Sequence, residues 1–142
     1  MNTFTTVAAA AAFAPITAQR APYLVQKLET AAMYLRDAIA AIDARRTGAG
    51  KADLSLARRQ FDDIASEYCT PGYPVFDAIP TALLRGALNG IQGRAKDAAI
   101  IYTNRPTSAS LAKVRAAAAA NLAAVEGLLV GIALATDPQA AS

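Results

Sequence analysis

The chain has 142 residues, a formal charge of +3, no histidine, no tryptophan and a single cysteine, Cys69. That length supports one hydrophobic core without staples, while the missing histidines exclude an ordinary zinc or copper site and the lone cysteine excludes an internal disulfide. Apolar residues make up 54% of the chain and aromatics only 6%, much of the remainder being alanine, so closely approaching helices are expected rather than a sheet.

The N-terminal stretch "MNTFTTVAAAAAFAP" has no amphipathic stripe. Residues 1–20 are therefore expected to form an extended arm or the remnant of a targeting leader, outside the core. Ala12-Phe13-Ala14-Pro15 resembles the cleavage motif of plastid-targeting leaders in algae with red-type complex plastids.

Pro22 suits the first turn of a helix, and Leu24, Leu28, Leu35, Ile39 and Ile42 follow on one face, with Ala31 and Ala32 between them. This helix should end near Arg45-Arg46, cations that suit the negative end of the helix dipole, and "TGAG", residues 47–50, reads as a breaker. The second helix starts near Asp53. Its stripe of Leu54, Ala57, Phe61, Ile64 and Tyr68 alternates steps of three and four residues, the seam of a bundle helix. "TPGYPVF" then forms a semi-rigid loop holding two prolines, and Cys69 just before it reads as a small buried residue at a helix end.

The third helix opens near Asp77 or Ala78, with the stripe Leu84, Leu88, Ile91, Ala95, Ala98 and Tyr102. Gly86, Gly90 and Gly93 lie inside it, each costing about 1 kcal/mol relative to alanine. Close approach of a neighbouring bundle helix is the expected reason, an external protein surface the alternative. Pro106 disfavours helical geometry at Arg105 and ends the helix. Thr107 or Ser108 then caps a fourth helix whose stripe is Leu111, Val114, Ala118, Leu122, Val125, Leu129 and Ile132, closed by Asp137-Pro138. The expected fold is all-α: an up-down-up-down four-helix bundle over residues 21–136, with an N-terminal extended arm and a tail over residues 137–142. No apolar run is expected to reach the roughly 20 residues that span a bilayer.

Charge is uneven along the chain. Residues 1–80 hold 8 Lys/Arg against 8 Asp/Glu, whereas residues 81–142 hold 6 against 3. That excess is too diffuse for a nucleic-acid binder but sufficient to orient the protein on an acidic partner. No phosphate loop, nucleophile elbow, CxxC or metal-spaced cluster is present, so no catalytic, metal-binding or cofactor-binding residue is assigned. Asp62 and Asp63 read as a solvated face paired locally with Arg58 and Arg59. One enzymatic alternative is an all-helical chorismate-mutase-like site, which would use Lys27, Arg36 and Arg94 around a small dicarboxylate. Asn104 and Arg105 stand out because a plain turn would be served equally well by glycine. An arginine on a proline-stiffened loop can grip a carboxylate with two parallel hydrogen bonds. Arg105 and Asn104, helped by Arg94 and Lys96 and joined by Arg45 and Arg46, form the expected partner-binding set.

Pro22-Tyr23 and Tyr34-Leu35-Arg36 resemble the first long helix of the PsbQ family. Thr81-Ala82-Leu83, Asn104-Arg105-Pro106, Leu111, Lys113 and Glu126 resemble the pattern of a sister family, the small four-helix assembly and repair protein of photosystem II. "FDDIASEY" in the second helix fits that pattern too, and the similarity spans residues 22 to about 130. An algal extrinsic subunit of the same fold would suit the leader-like start. The resemblance implies a non-catalytic, cofactor-free protein of the plastid thylakoid lumen, peripheral to the membrane. Such a protein binds the photosystem II core and other extrinsic subunits and supports the oxygen-evolving cluster without ligating it. A helical binding module of another assembly is the alternative.

Overall fold

The described residues of the computed structural model form four helices: α1 (Ala14–Asp43), α2 (Thr47–Tyr68), α3 (Ile79–Thr103) and α4 (Ser108–Thr136). The structure describes residues 14–68, 79–103 and 106–136, and no strand occurs among them. Each helix is antiparallel to its two neighbours. On the α1–α2 seam, Tyr23 meets Glu67 and Lys27 meets Asp63. On the α1–α4 seam, Arg36 meets Glu126 and Asp43 meets Arg115. Gln92 reaches Asp62 between α3 and α2, and Arg94 reaches Asn121 between α3 and α4. The helices thus form a ring in which α1 and α3 lie diagonally, the up-down-up-down bundle the four stripes imply.

The expected stripes are the core. Leu24, Leu28, Leu35, Phe61, Ile64, Leu84, Leu88, Ile91, Val125 and Ile132 are buried in one continuous cluster. A smaller cluster of Ile42, Ala98, Tyr102 and Val114 fills the end where the α1–α2 and α3–α4 connections lie. Along α4, Leu122 and Leu129 are only partly buried, and Leu128 and Asn121 take central places instead.

Three boundaries differ from the sequence expectation. Helix α1 begins at Ala14, so residues 14–20 are helical rather than an arm. Alanine, glutamine and arginine extend a nucleated helix at little cost even without an apolar face to bury. Pro22 consequently lies inside α1, where it removes one amide from the helical ladder. Residues 1–13 and 137–142, with Cys69, fall outside the described residues. Helix α2 begins at Thr47, so "TGAG" is its first turn and not a breaker. Finally, Ser108–Ala133 of α4 is long and apolar enough to cross a membrane by length and composition, which corrects the expectation that no such stretch exists. In the bundle this segment places Val114, Ala118, Val125, Leu128 and Ile132 in the core, and it carries the paired Arg115 and Glu126.

The turn between α1 and α2 needs only three residues. The Arg46 amide donates to the Ala41 carbonyl at 2.7 Å and the Arg45 amide to the Ile42 carbonyl at 3.0 Å, the paired bonds of a Schellman cap. Arg45 occupies the left-handed position with φ 61°, the one non-glycine residue among those described to do so. That conformation costs an L-residue roughly 1–2 kcal/mol. Arg45→Gly is therefore expected to stabilise the bundle by about 1 kcal/mol after the entropy of glycine is set against the relieved strain. A urea midpoint that rises with an unchanged slope is the check. At the other connection, Thr107 Oγ accepts from the Ser110 amide at 3.2 Å and Ser110 Oγ accepts from the Thr107 amide at 2.7 Å. This reciprocal box makes Thr107 the cap of α4.

Candidate functional site

Because neighbours are antiparallel, the C-termini of α1 and α3 and the N-termini of α2 and α4 meet at one end of the bundle. Arg45, Arg46, Lys51, Lys96 and Lys113 are all exposed there. The acids at this end are partly committed. Asp43 accepts two hydrogen bonds from Arg115, at 2.7 and 3.1 Å, and that bidentate grip holds its carboxyl below the ordinary aspartate range. Asp53 lies in the field of Arg46, yet burial and the nearby Asp37 push its carboxyl up. Asp97 is exposed on α3. The far end differs: Asp62, Asp63 and Glu67 gather on α2, opposed by Lys27, which contacts Asp63 at 3.4 Å. Burial depresses Lys27, but Tyr23, Asp63 and Glu67 together outweigh it and leave its pKa raised. Among the described residues, the exposed cations Arg45, Arg46, Lys51 and Lys113 thus gather at the end holding both short connections.

The sequence-predicted contact residues divide accordingly. Arg45, Arg46 and Lys96 are exposed at this end. Asn104 and Arg105 lie outside the described residues. Arg94 is not an outward-facing docking residue: it is half-buried, and its Nε donates to Asn121 Oδ1 at 2.7 Å. Asn121, only 2% exposed, passes a further hydrogen bond from its amide to the Ile91 carbonyl at 3.1 Å. The guanidinium folds back along α3 to lie 3.3 Å from where a Cβ on Gly90 would stand. Its stem follows the helix surface and its head turns inward, a choice open to any long side chain at a seam edge.

The helix-three glycines have a different setting from the one expected. Gly86 and Gly93 face open space and Gly90 meets only the Arg94 side chain, so no bundle helix approaches there. Close approach occurs instead at Gly50, where an added Cβ would stand 3.1 Å from the Tyr102 hydroxyl and 3.2 Å from Ile42 Cγ1. Nor do Arg58 and Arg59 pair with the acids beside them: Asp63 engages Lys27 and Asp62 accepts from Gln92 at 3.0 Å. The proposed chorismate-mutase trio does not converge. Lys27 serves the α1–α2 seam, Arg36 pairs with Glu126 on the exposed α1–α4 seam, and Arg94 serves α3–α4.

One further feature borders the basic end. Between α2 and α3 lies a cleft of about 70 Å³ lined by Lys51, Leu54, Ser55, Arg58, Ala95, Ala99 and Tyr102. Small residues on α3 leave this gap opposite the longer side chains of α2. Tyr102 is 8% exposed, and its hydroxyl is buried without a hydrogen-bond partner among the described residues. Burial pushes its phenol pKa up. The sequence signal for the cleft is the spacing of Lys51, Ser55 and Arg58 on one face of α2, which becomes meaningful only once α3 is placed beside it. Among the described residues, no group of histidine, cysteine, aspartate and glutamate is arranged to hold a metal. No family model, curated protein or solved structure matches the chain.

Proposed function

We propose that this bundle is a non-catalytic subunit that docks through its basic end on an acidic surface of a larger assembly, the lumenal face of photosystem II being the host. The observation supporting docking is the gathering of exposed Arg45, Arg46, Lys51 and Lys113 around two short, capped connections. Cations on a capped turn, as Arg45 and Arg46 are, lose little entropy when they engage carboxylates, and a net-positive end steers the encounter. The choice of host rests on the sequence resemblance at Pro22-Tyr23, Tyr34-Leu35-Arg36 and Asn104-Arg105-Pro106.

Rebinding to salt-washed, photosystem II-enriched thylakoid membranes tests both parts. The wild-type chain is expected to rebind saturably, with an affinity that falls as salt rises. The triple variant Arg46→Gln, Arg105→Ala, Lys113→Gln should lose about tenfold or more in affinity, equivalent to about 1.4 kcal/mol, with a flatter salt dependence and unchanged melting. Equal rebinding of the variant at every ionic strength would overturn docking through this end. Failure of the wild type to rebind would remove photosystem II as host.

A further inference from the structure

The cleft between α2 and α3 borders the basic end, sharing Lys51 with it, and has a chemistry of its own. Lys51 and Arg58 approach it from positions two turns apart on α2, and neither has an ion-pair or hydrogen-bond partner among the described residues. The Ser55 hydroxyl lies between them on the same helical face. Opposite, Ala95 and Ala99 open the wall and Tyr102 closes one end of it, its hydroxyl being buried beside Gly50. No acid lines the cleft, and the acid farther along the seam, Asp62, already accepts from Gln92. Two positive charges and one hydroxyl beside apolar walls form a donor-rich, acceptor-poor environment. An arginine fork matches the two oxygens of a carboxylate.

We propose that this cleft binds a carboxylate, with Arg58 as the bidentate clamp, Lys51 as the second charge and the Ser55 hydroxyl as a neutral donor. The volume suits a carboxylate head with one or two carbons behind it against Leu54, Ala95 and Ala99. The carboxylate belongs either to a free small acid or to an aspartate or glutamate side chain of another polypeptide, and the two sources present the same group.

The test is two-dimensional NMR of the whole protein, following the backbone amides of Lys51, Ser55 and Tyr102 and the side-chain Nε–H of Arg58. Three titrations are run at constant ionic strength: succinate, a blocked acidic peptide of alternating Asp and Glu, and chloride. Saturable shifts confined to the cleft with succinate or the peptide support the site, and the tighter of the two identifies the source. Arg58→Gln should weaken binding about tenfold, as loss of one charge-assisted pair implies. Ser55→Ala should weaken binding several-fold while the melting temperature of the free protein stays level or rises, and binding unaltered by Arg58→Gln would overturn the clamp. Shifts that fail to saturate, that match chloride, or that spread equally over Arg45, Arg46 and Lys113 would overturn the proposal.

Discussion

Phe61→Ala is expected to destabilise the bundle by about 3–5 kcal/mol, a large share of the total stability of a domain this size. Phe61 is the largest fully buried side chain among the described residues and lies in the main cluster with Leu35, Ile64 and Leu88. Truncation removes the transfer energy of the ring and opens a void that the helices fill only in part. A small gap of about 10 Å³ already exists beside Phe61, bordered by Leu35, Ala118, Arg94 and Asn121. The enlarged space would join this gap and gain polar partners, Arg94 and Asn121, able to hold water. Urea denaturation should show a much lower midpoint with a similar slope, and melting should fall by roughly 10–20 °C. Phe61→Leu should recover more than half of the loss, because leucine keeps the apolar character and much of the volume. An unchanged midpoint for Phe61→Ala would mean that α2 is not seated in the core by this ring.

The repeat of apolar residues specified four helices because burial on one face is a local property, readable from spacing alone. Phe61, Ile64, Leu84, Leu88 and Ile91 all stand where their periodicity puts them. Helix ends were harder to read. At "TGAG", glycine propensity argues for a break, but the Schellman cap at Arg45 turns the chain earlier and lets Thr47 start α2. Propensity is worth about 1 kcal/mol per glycine, less than the packing that places Gly50 against α1 and Tyr102. Cross-helix partners were not legible at all. Asp63 sits one turn from Arg59 and Asp62 one turn from Arg58, yet Lys27 and Gln92, 36 and 30 residues away, take the two acids. Register between helices is a tertiary quantity, absent from any single stripe. The same applies to the site: Arg45, Arg46 and Lys96 were chosen from sequence and are exposed, whereas Lys51 and Lys113, the inward turn of Arg94 and the placing of Arg58 beside the cleft required the bundle.

Gly50 and Gly86 separate these contributions experimentally. Both are helical glycines, so either gains intrinsic helix propensity, up to about 1 kcal/mol, when replaced by alanine or leucine. At Gly86 nothing lies within 4 Å of the added Cβ, and that gain should appear undiminished. Gly86→Leu is therefore expected to leave the bundle unchanged or slightly stabilised, within about 0.5 kcal/mol after some apolar exposure is set against propensity. At Gly50 the Cβ alone would crowd the Tyr102 hydroxyl at 3.1 Å and Ile42 Cγ1 at 3.2 Å, with the Ala38 carbonyl at 3.6 Å behind them. A leucine there must push α2 away from α1 or drive Tyr102 from the smaller core cluster, an overpacking cost of about 2–3 kcal/mol. Ile42, Ala98 and Val114 share that cluster, so the strain reaches α1, α3 and α4 together. Hydrogen exchange should then show the loss concentrated at the end carrying the capped connections, with the Phe61 region protected almost as before. Equal stability of the Gly50 and Gly86 leucine variants would show that the α1–α2 contact yields freely. In that case a glycine at position 50 would have no packing role, and the seat of the Tyr102 hydroxyl would rest on α3 alone.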